Sequence, residues 1–272
     1  MALIPEQFLD SVVAIGSPES ENKLRWIGTG FLYAHLIDEP EPGKKTYSFY
    51  LVTNRHVIQN RKTIVVRFNS PEENESRNLN IPLQQNGKQI WTGHENPKID
   101  VAVLPINIKN IQDRGLKPGF FRSDDHSMTS AEMKEVGLLE GDFVYAMGYP
   151  MGIVNAEKQY ALVRSGIISR IRDLYDKRGE EFIIDAFVFP GNSGGPVLSK
   201  PEVVGIKGTN ISKGSSLIGI VKGYLPYRDV ALSQQTKRPR VIFEENTGLT
   251  AVIPVEKIRE TIELEQQNRI QQ

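Results

Sequence analysis

Short apolar runs recur along the whole chain, each bounded by Gly, Pro, Asn or Ser. Because these runs are rich in Val, Ile, Phe and Tyr, they predict β-strands. The predicted strands of the first half are 11–15, 27–33, 47–53, 63–68, 89–92 and 101–106, and those of the second half are 143–148, 159–171, 182–188, 195–198, 203–206, 217–221 and 249–253. Many short strands without alternating long helices predict an all-β fold.

Several segments interrupt this pattern. Residues 107–140 are polar and lack strand periodicity, which predicts a linker with a short helix over 130–135. Residues 38–45 and 70–80 are predicted loops, since they are polar and carry Pro or Asn. Residues 255–267 place apolar residues at helical spacing after Pro254, which predicts a C-terminal amphipathic helix.

Composition disfavours some functions and compartments. The 272 residues include 33 Lys and Arg against 33 Asp and Glu, so no basic excess favours nucleic-acid binding. No apolar run is long enough to cross a membrane, and the N-terminus lacks the pattern of a secretory leader. With no cysteine, neither a disulfide nor a thiol nucleophile is available. We therefore expect a bacterial cytoplasmic protein, with the periplasm as the second choice.

The segment Gly191-Asn192-Ser193-Gly194-Gly195 is the strongest chemical signal. Glycines around a serine allow a tight turn in which the hydroxyl projects and backbone N–H groups are free to stabilise an oxyanion. The N–H groups of Gly191 and Ser193 are the candidate donors. A plain glycine-rich turn is the alternative. A nucleophile elbow of the α/β-hydrolase type is excluded because all four histidines precede Ser193, whereas that fold places its histidine after the serine.

A serine nucleophile needs a base and a group that orients the base. His56 follows the apolar run 50–52 and the pair Thr53-Asn54, where a catalytic loop residue would stand. Asp100 leads directly into the apolar run 101–104, where an unpaired carboxylate would be costly and an imidazole N–H would satisfy it. Taken singly, each could be a surface or turn residue; the order His, Asp, Ser favours a triad.

Several short sequence blocks, taken in their order along the chain, resemble those of the trypsin-like serine peptidases of the chymotrypsin clan. The bacterial HtrA (DegP) type is the nearest match. The blocks are Gly28-Thr29-Gly30-Phe31, 52–58, 100–104, Gly148-Tyr149-Pro150-Met151-Gly152, 165–169, Asp185-Ala186, 190–196, Gly205-Ile206 and 248–254.

The resemblance implies two six-stranded antiparallel β-barrels followed by the C-terminal helix. Residues 1–125 would form the barrel with His56 and Asp100, residues 126–254 the barrel with Ser193, and residues 255–272 the helix and tail. Ser193 would attack the scissile carbonyl, His56 would shuttle the proton, and Asp100 would fix the imidazole tautomer. From the few residues after Pro254, we expect no PDZ domain. Asn192 is neutral, so the resemblance predicts regulation by substrate or partner, not by a new N-terminus.

The resemblance also places the specificity pocket. Phe187 would lie at its base, with Gly208, Thr209, Asn210 and Thr250 in its walls. None of these is acidic, which favours small to medium apolar residues at P1, the residue before the scissile bond. A core position for Phe187 is the alternative. The segment 207–247 is longer than a hairpin needs, so we expect an insertion that gates the cleft or receives a regulatory protein, or that merely extends the barrel.

Other functions fit the sequence less well. Four scattered histidines without an H-E-x-x-H pattern argue against a metal hydrolase, so we expect no metal and no cofactor. A catalytically silent binding module is the alternative from another class, and it is disfavoured because all three triad residue types are present. An esterase remains open because it shares the acyl-transfer chemistry. Protein or peptide substrates are the expected partners, with no nucleic acid and no membrane.

Overall fold

The computed structural model describes residues 3–20, 23–70, 75–155, 157–201 and 214–270. The strands before residue 125 are β1 (Val12–Ser20), β2 (Lys23–Glu41), β3 (Lys44–Thr53), β4 (Thr63–Asn69), β5 (Ser76–Pro82), β6 (Gln84–Gln85), β7 (Lys88–Gln89), β8 (Thr92–Gly93), β9 (Ala102–Pro105) and β10 (Phe121–Arg122). The later strands are β11 (Phe143–Gly148), β12 (Leu162–Arg170), β13 (Phe182–Asp185), β14 (Pro196–Ser199), β15 (Leu217–Leu232) and β16 (Pro239–Pro254). The helices are α1 (Glu6–Leu9), α2 (Arg55–Ile58), α3 (Ile108–Gln112), α4 (Ser130–Glu135), α5 (Arg172–Tyr175) and α6 (Val255–Ile270).

The later strands close into a six-stranded barrel in the order β11-β12-β13-β16-β15-β14, with every pair antiparallel. This barrel and α6 confirm the prediction for the second half of the fold. Inside the barrel, buried aliphatic side chains such as Val144, Ile184 and Val252 form one core cluster. Around Val144 and Ile184, buried residues alternate with more exposed ones, which is the period-2 pattern of a half-buried strand.

The earlier strands form an eight-stranded sheet, two strands more than the predicted six. Its order is β5-β4-β1-β2-β3-β9-β8, with β10 added in parallel to β2 at Tyr33. One added strand is β10, because β1 pairs with β2 only as far as Phe31 and β10 takes over the same edge beyond it. The predicted loop 70–80 is also wrong in part, because β5 begins at Ser76 and pairs with β4 along its length. The division of the chain at residue 125 stays a prediction.

Helix α6 closes the space between the two sheets. Its buried residues Val255, Ile258 and Ile262 share a core cluster with Tyr33 and Tyr50 of the first sheet and with residues of the barrel. At its far end, the buried Tyr50 hydroxyl donates to Glu265 Oε2 at 2.9 Å. Helix α6 therefore fixes the first sheet relative to the barrel. No helix in the described part of the chain combines the length and apolar character needed to cross a bilayer.

Candidate active site

His56 lies in the short helix α2, directly after β3. Val57 and Ile58 are almost fully buried and hold this turn against the core of the first sheet. The Asn54 side chain donates from Nδ2 to the Asp100 carbonyl oxygen at 2.7 Å, so the residue that precedes α2 also holds the backbone of Asp100. The sequence around His56 thus positions two candidate site residues together.

Asp100 accepts two hydrogen bonds from His56. Its Oδ1 accepts from the His56 backbone N–H at 3.0 Å, and its Oδ2 pairs with His56 Nδ1. This leaves Nε2 of the half-exposed imidazole directed away from the carboxylate. Burial opposes the ionisation of Asp100, but the hydrogen bonds from His56, together with the attraction of His56 and Lys222, outweigh it and hold the pKa of Asp100 below its usual value. The carboxylate therefore stays ionised and fixes the imidazole.

The loop 191–195 lies against the first sheet. Gly194 has a φ of +86°, and a Cβ there would lie 2.1 Å from the Thr29 carbonyl oxygen and 2.3 Å from Thr53 Oγ1, so only glycine fits. The Thr29 N–H donates to the Ser193 carbonyl oxygen at 2.9 Å. Because Thr53 and Asn54 immediately precede α2, these contacts place Ser193 near the start of the helix that carries His56. Thr29 belongs to a block of the resemblance, but sequence reasoning assigned it no role.

The Ser193 hydroxyl donates to the Lys222 carbonyl oxygen at 3.2 Å. Lys222 lies in β15, and its ammonium pairs with Glu181 at 2.5 Å. Sequence reasoning missed Lys222, since its proximity to Ser193 and Asp100 follows only from how β14 and β15 pair. Rotation of the Ser193 side chain to another staggered position would redirect its hydroxyl without moving the backbone.

The backbone N–H groups of Gly191 and Ser193 have no protein acceptor within the described residues. The carbonyl of Pro190 accepts from the Met151 N–H at 2.6 Å. Since the C=O and N–H of a trans peptide point in opposite directions, this bond turns the Gly191 N–H away from Met151. Thr29 Oγ1 holds the next carbonyl by donating to Gly191 O at 2.6 Å. Two neighbouring donors thus remain available beside the serine hydroxyl.

The residues predicted for the specificity pocket differ in exposure, and some of them lie outside the described residues. Phe187 is 50% exposed, so it is not a core residue, and its ring lies 3.0 Å from where a Cβ on Gly248 would be. Thr250 is fully buried in β16, and its hydroxyl donates to the Ala186 carbonyl oxygen at 2.8 Å, so that hydroxyl is already used. Gly208, Thr209 and Asn210 lie outside the described residues. The Ser193 hydroxyl contacts β15 at Lys222.

Comparison with known proteins identifies the family of this chain. The family model described as a trypsin-like peptidase domain matches residues 28–206, a range that contains His56, Asp100 and Ser193. The chain belongs to the trypsin-like peptidase family.

Curated members of the family include HtrA-type proteins of several bacteria. A "Probable periplasmic serine endoprotease DegP-like" of Chlamydia pneumoniae is 28% identical over 207 residues, which cover 75% of this chain and 32% of that protein. A protein of the same name from Pseudomonas fluorescens is 31% identical over 174 residues, covering 63% of this chain and 29% of that protein. A "Serine protease HtrA-like" of Staphylococcus haemolyticus is 26% identical and covers 68% of this chain and 24% of that protein. The chain thus spans a third or less of these relatives.

Solved structures of trypsin-like peptidases show more distant similarity. The HtrA-type protease AlgW with a decapeptide aligns with a TM-score of 0.49 at 20% identity, covering 96% of this chain and 65% of that one. The MamO protease domain from Magnetospirillum magneticum aligns with a TM-score of 0.45 at 15% identity, covering 93% of this chain and 95% of that one.

Proposed function

We propose that this chain is a serine endopeptidase in which Ser193 is the nucleophile, His56 the general base and Asp100 the residue that orients the base. The observation that carries the proposal is the combination of a doubly hydrogen-bonded His56–Asp100 pair with two unused N–H groups beside Ser193. The family match supports the same chemistry. Because the serine hydroxyl can rotate, its bond to Lys222 in the free protein does not count against the proposal.

The reaction follows from this arrangement. Ser193 Oγ attacks the scissile carbonyl carbon while its proton passes to His56 Nε2, and the N–H groups of Gly191 and Ser193 bind the oxyanion of the tetrahedral intermediate. The C–N bond then breaks, and the departing amine takes the proton from His56, which leaves an acyl-enzyme. A water molecule attacks the ester in the same way, with His56 again accepting a proton and then returning it to Ser193. Asp100 remains ionised throughout.

Regulation without N-terminal cleavage is part of the proposal. The Asn192 side chain is fully buried, and its Oδ1 accepts from the Phe189 N–H at 3.1 Å. A neutral amide held by its own loop needs no ammonium partner. We therefore propose that substrate or a partner at 207–247 controls activity. Residues 202–213 lie outside the described residues, so the described part of this segment is the β15–β16 hairpin.

The pocket and the compartment complete the proposal. The exposed ring of Phe187 over Gly248 supports a shallow apolar P1 site, so small to medium apolar P1 residues should be preferred to Lys or Arg. The names of the curated relatives favour a periplasmic location. The cytoplasmic location expected from the sequence finds no support in them.

The decisive experiment compares wild type with Ser193→Ala on a quenched-fluorescence peptide library, with cut sites mapped by mass spectrometry. We expect turnover to fall by about 10³-fold or more while the circular dichroism spectrum stays the same, because members of a triad act as a unit. A fluorophosphonate probe should label the wild type at Ser193 and leave the variant unlabelled. Wild-type turnover by Ser193→Ala would refute the assignment, and unlabelled, inactive wild type would favour the silent binding module.

A further inference from the structure

The distal part of the β15–β16 hairpin, residues 225–246, projects from the barrel; we call it the projecting hairpin. Most of its side chains are exposed, and many are large and apolar. Val230, Leu232 and their cross-strand neighbour Ile242 share one face by the period-2 rule, with exposures of 42–63%. Tyr227, Val241 and Phe243 share the other face, with exposures of 47–58%.

A two-stranded hairpin with apolar side chains on both faces has little stability of its own in water. Exposed apolar strand surface is also a site for association, because it offers both contact area and unpaired backbone groups. The projecting hairpin therefore has the features of a surface that another polypeptide covers.

The free edge of the projecting hairpin is continuous with the candidate active site. Strand β14 pairs with β15 only as far as Ile220, and the last bonds on that edge join Val221 to Gly194 and Gly195. The next carbonyl, that of Lys222, accepts the Ser193 hydroxyl. From there to Leu232, a length of about 33 Å, β15 pairs only with β16 among the described strands. A chain that leaves Ser193 along this edge would thus follow the projecting hairpin.

The direction of such a chain follows from the barrel. Every strand pair of the barrel is antiparallel, and a substrate that continues the row of β14 along β15 would be antiparallel to β15 too. Strand β15 runs away from Ser193 toward the hairpin tip. The residues on the N-terminal side of the scissile bond would therefore point toward that tip.

Charge at the tip adds a second element of recognition. Nearer the barrel, Arg228 is paired with Glu244 at 2.9 Å. At the tip, Lys237, Arg238 and Arg240 have no carboxylate partner within the described residues. This unpaired positive charge would attract an acidic residue of a bound peptide.

We propose that the projecting hairpin is an extended substrate-binding strip for the residues from about the fifth to the tenth position before the scissile bond. It favours apolar side chains along β15 and an acidic side chain near the tip. This inference rests on the proposed peptidase function and replaces the regulatory protein expected at 207–247 with the substrate itself. Pro226 removes one backbone donor from β15, so the apolar faces contribute along with the backbone edge.

The test compares peptides that share one scissile bond, chosen from the wild-type cut sites. A short peptide has four residues on each side. One long peptide extends the N-terminal side to ten residues with alternating Val and a Glu at its end, and a second extends the C-terminal side in the same way. We expect kcat/KM to rise about tenfold for the N-terminal extension, since several cross-strand contacts of ordinary strength are added. The C-terminal extension should leave it within twofold.

Two pairs of variants locate the effect. Val230→Thr keeps a β-branched residue but removes apolar surface from the strip along β15, and Val163→Thr makes the same change at an equally exposed site in β12. Lys237→Glu reverses a charge at the tip, and Lys109→Glu does so in α3. The ratio of kcat/KM for the long peptide over the short one should fall to near one in the hairpin variants and stay near ten in the controls. Thermal unfolding of each variant verifies that it is folded.

The outcomes separate this inference from the proposed function. A wild-type ratio near one, or a ratio of ten retained by both hairpin variants, overturns the strip. If no peptide is cleaved, the proposed peptidase function is refuted. Fluorescence anisotropy of labelled long and short peptides on Ser193→Ala then still tests the strip, because the long peptide should bind more tightly than the short one. A wild-type oligomer that Val230→Thr dissociates in sedimentation velocity would assign the projecting hairpin to contacts between copies and would also overturn the strip.

Discussion

Replacing Gly191 with alanine tests the oxyanion site without touching a side chain of the proposed triad. Gly191 has a φ of +103°, and an added Cβ would lie 2.4 Å from the Tyr149 carbonyl oxygen and 3.0 Å from the Met151 nitrogen. Real Cβ atoms do not approach a carbonyl oxygen this closely. The turn 149–151 must therefore move, and with it the bond from Met151 that aims the Gly191 N–H.

Two separate costs follow from this substitution. Forcing a Cβ into a positive-φ conformation lowers the free energy of unfolding by about 1–2 kcal/mol. Losing one oxyanion donor lowers kcat by about 10²–10³-fold, which corresponds to about 2.7–4 kcal/mol of transition-state stabilisation. Because the donor acts mainly on the transition state, KM should change much less than kcat.

Gly141→Ala is the matched control. Gly141 has a φ of +101°, and an added Cβ would have no neighbour within 4 Å, so this variant carries the backbone cost alone. The assay measures kcat and KM on one cleaved peptide and the free energy of unfolding in urea for both variants. We expect both variants to lose stability, and Gly191→Ala to lose more because its Cβ also clashes with the turn 149–151, but a large loss of kcat only in Gly191→Ala. Wild-type kcat in Gly191→Ala, or an equal kcat loss in Gly141→Ala, would refute the reasoning.

Two further predictions concern charges around Asp100. A carboxylate whose pKa is depressed in the folded state stabilises the fold above its unfolded pKa, and this stability is lost as pH falls through the folded pKa. Lys222→Met removes an attraction that lowers the pKa of Asp100, so an NMR carboxyl titration should show a higher pKa for Asp100. Glu181→Gln is the control: it breaks the ion pair between Lys222 and Glu181 but keeps the ammonium, so it should not raise the pKa of Asp100. Buried His94 accepts the Asn96 N–H at Nδ1 and contacts Glu260 at 2.9 Å through Nε2, which joins α6 to the loop before Asp100. Glu260→Ala should lower kcat several-fold with little change in KM and lower the free energy of unfolding by about 1 kcal/mol. Glu260→Gln keeps an acceptor for His94, so its kcat and its free energy of unfolding should stay near those of the wild type. Equal losses in the two variants would contradict this role of the His94–Glu260 contact.

Strands and helices with strong local signals were predictable from the sequence. Strand β11 and helix α4 have the predicted bounds. Helix α4 begins at a capping box in which Thr129 and Glu132 satisfy each other's backbone N–H groups, a purely local device. By contrast, most of β5 falls within the predicted loop 70–80, because polar residues dominate that segment. It lies at the edge of the sheet, where only one face is covered, so Leu79 and Ile81 suffice to hold it.

Sequence alone predicts the site residues that act through a reactive side chain. It does not predict those whose role depends on how the strands pair. His56, Asp100 and Ser193 carry nucleophile and acid–base groups that the sequence displays directly. Lys222 acts through its backbone carbonyl and through its position beside Asp100, and neither depends on a recognisable motif. Thr29 likewise holds Ser193 through its backbone N–H. Such contacts join residues far apart in the chain and follow only from the register of the sheets.

The projecting hairpin shows why an apolar pattern alone cannot distinguish a core strand from a binding surface. Residues 217–221 are buried because their side chains pack into two core clusters, one inside the barrel and one shared with α6 and the first sheet, whereas Val230 and Ile242, equally apolar, are exposed because nothing in the described chain packs on them. Apolar sequence matches a buried environment in residues 217–221, but Val230 and Ile242 are apolar residues in an exposed environment. Conflicts of this kind are expected at functional sites, where the missing contacts come from another molecule. The free edge of β15 that leads to the projecting hairpin begins at the Lys222 carbonyl, which contacts Ser193. The substrate is therefore the molecule that most directly supplies the missing contacts.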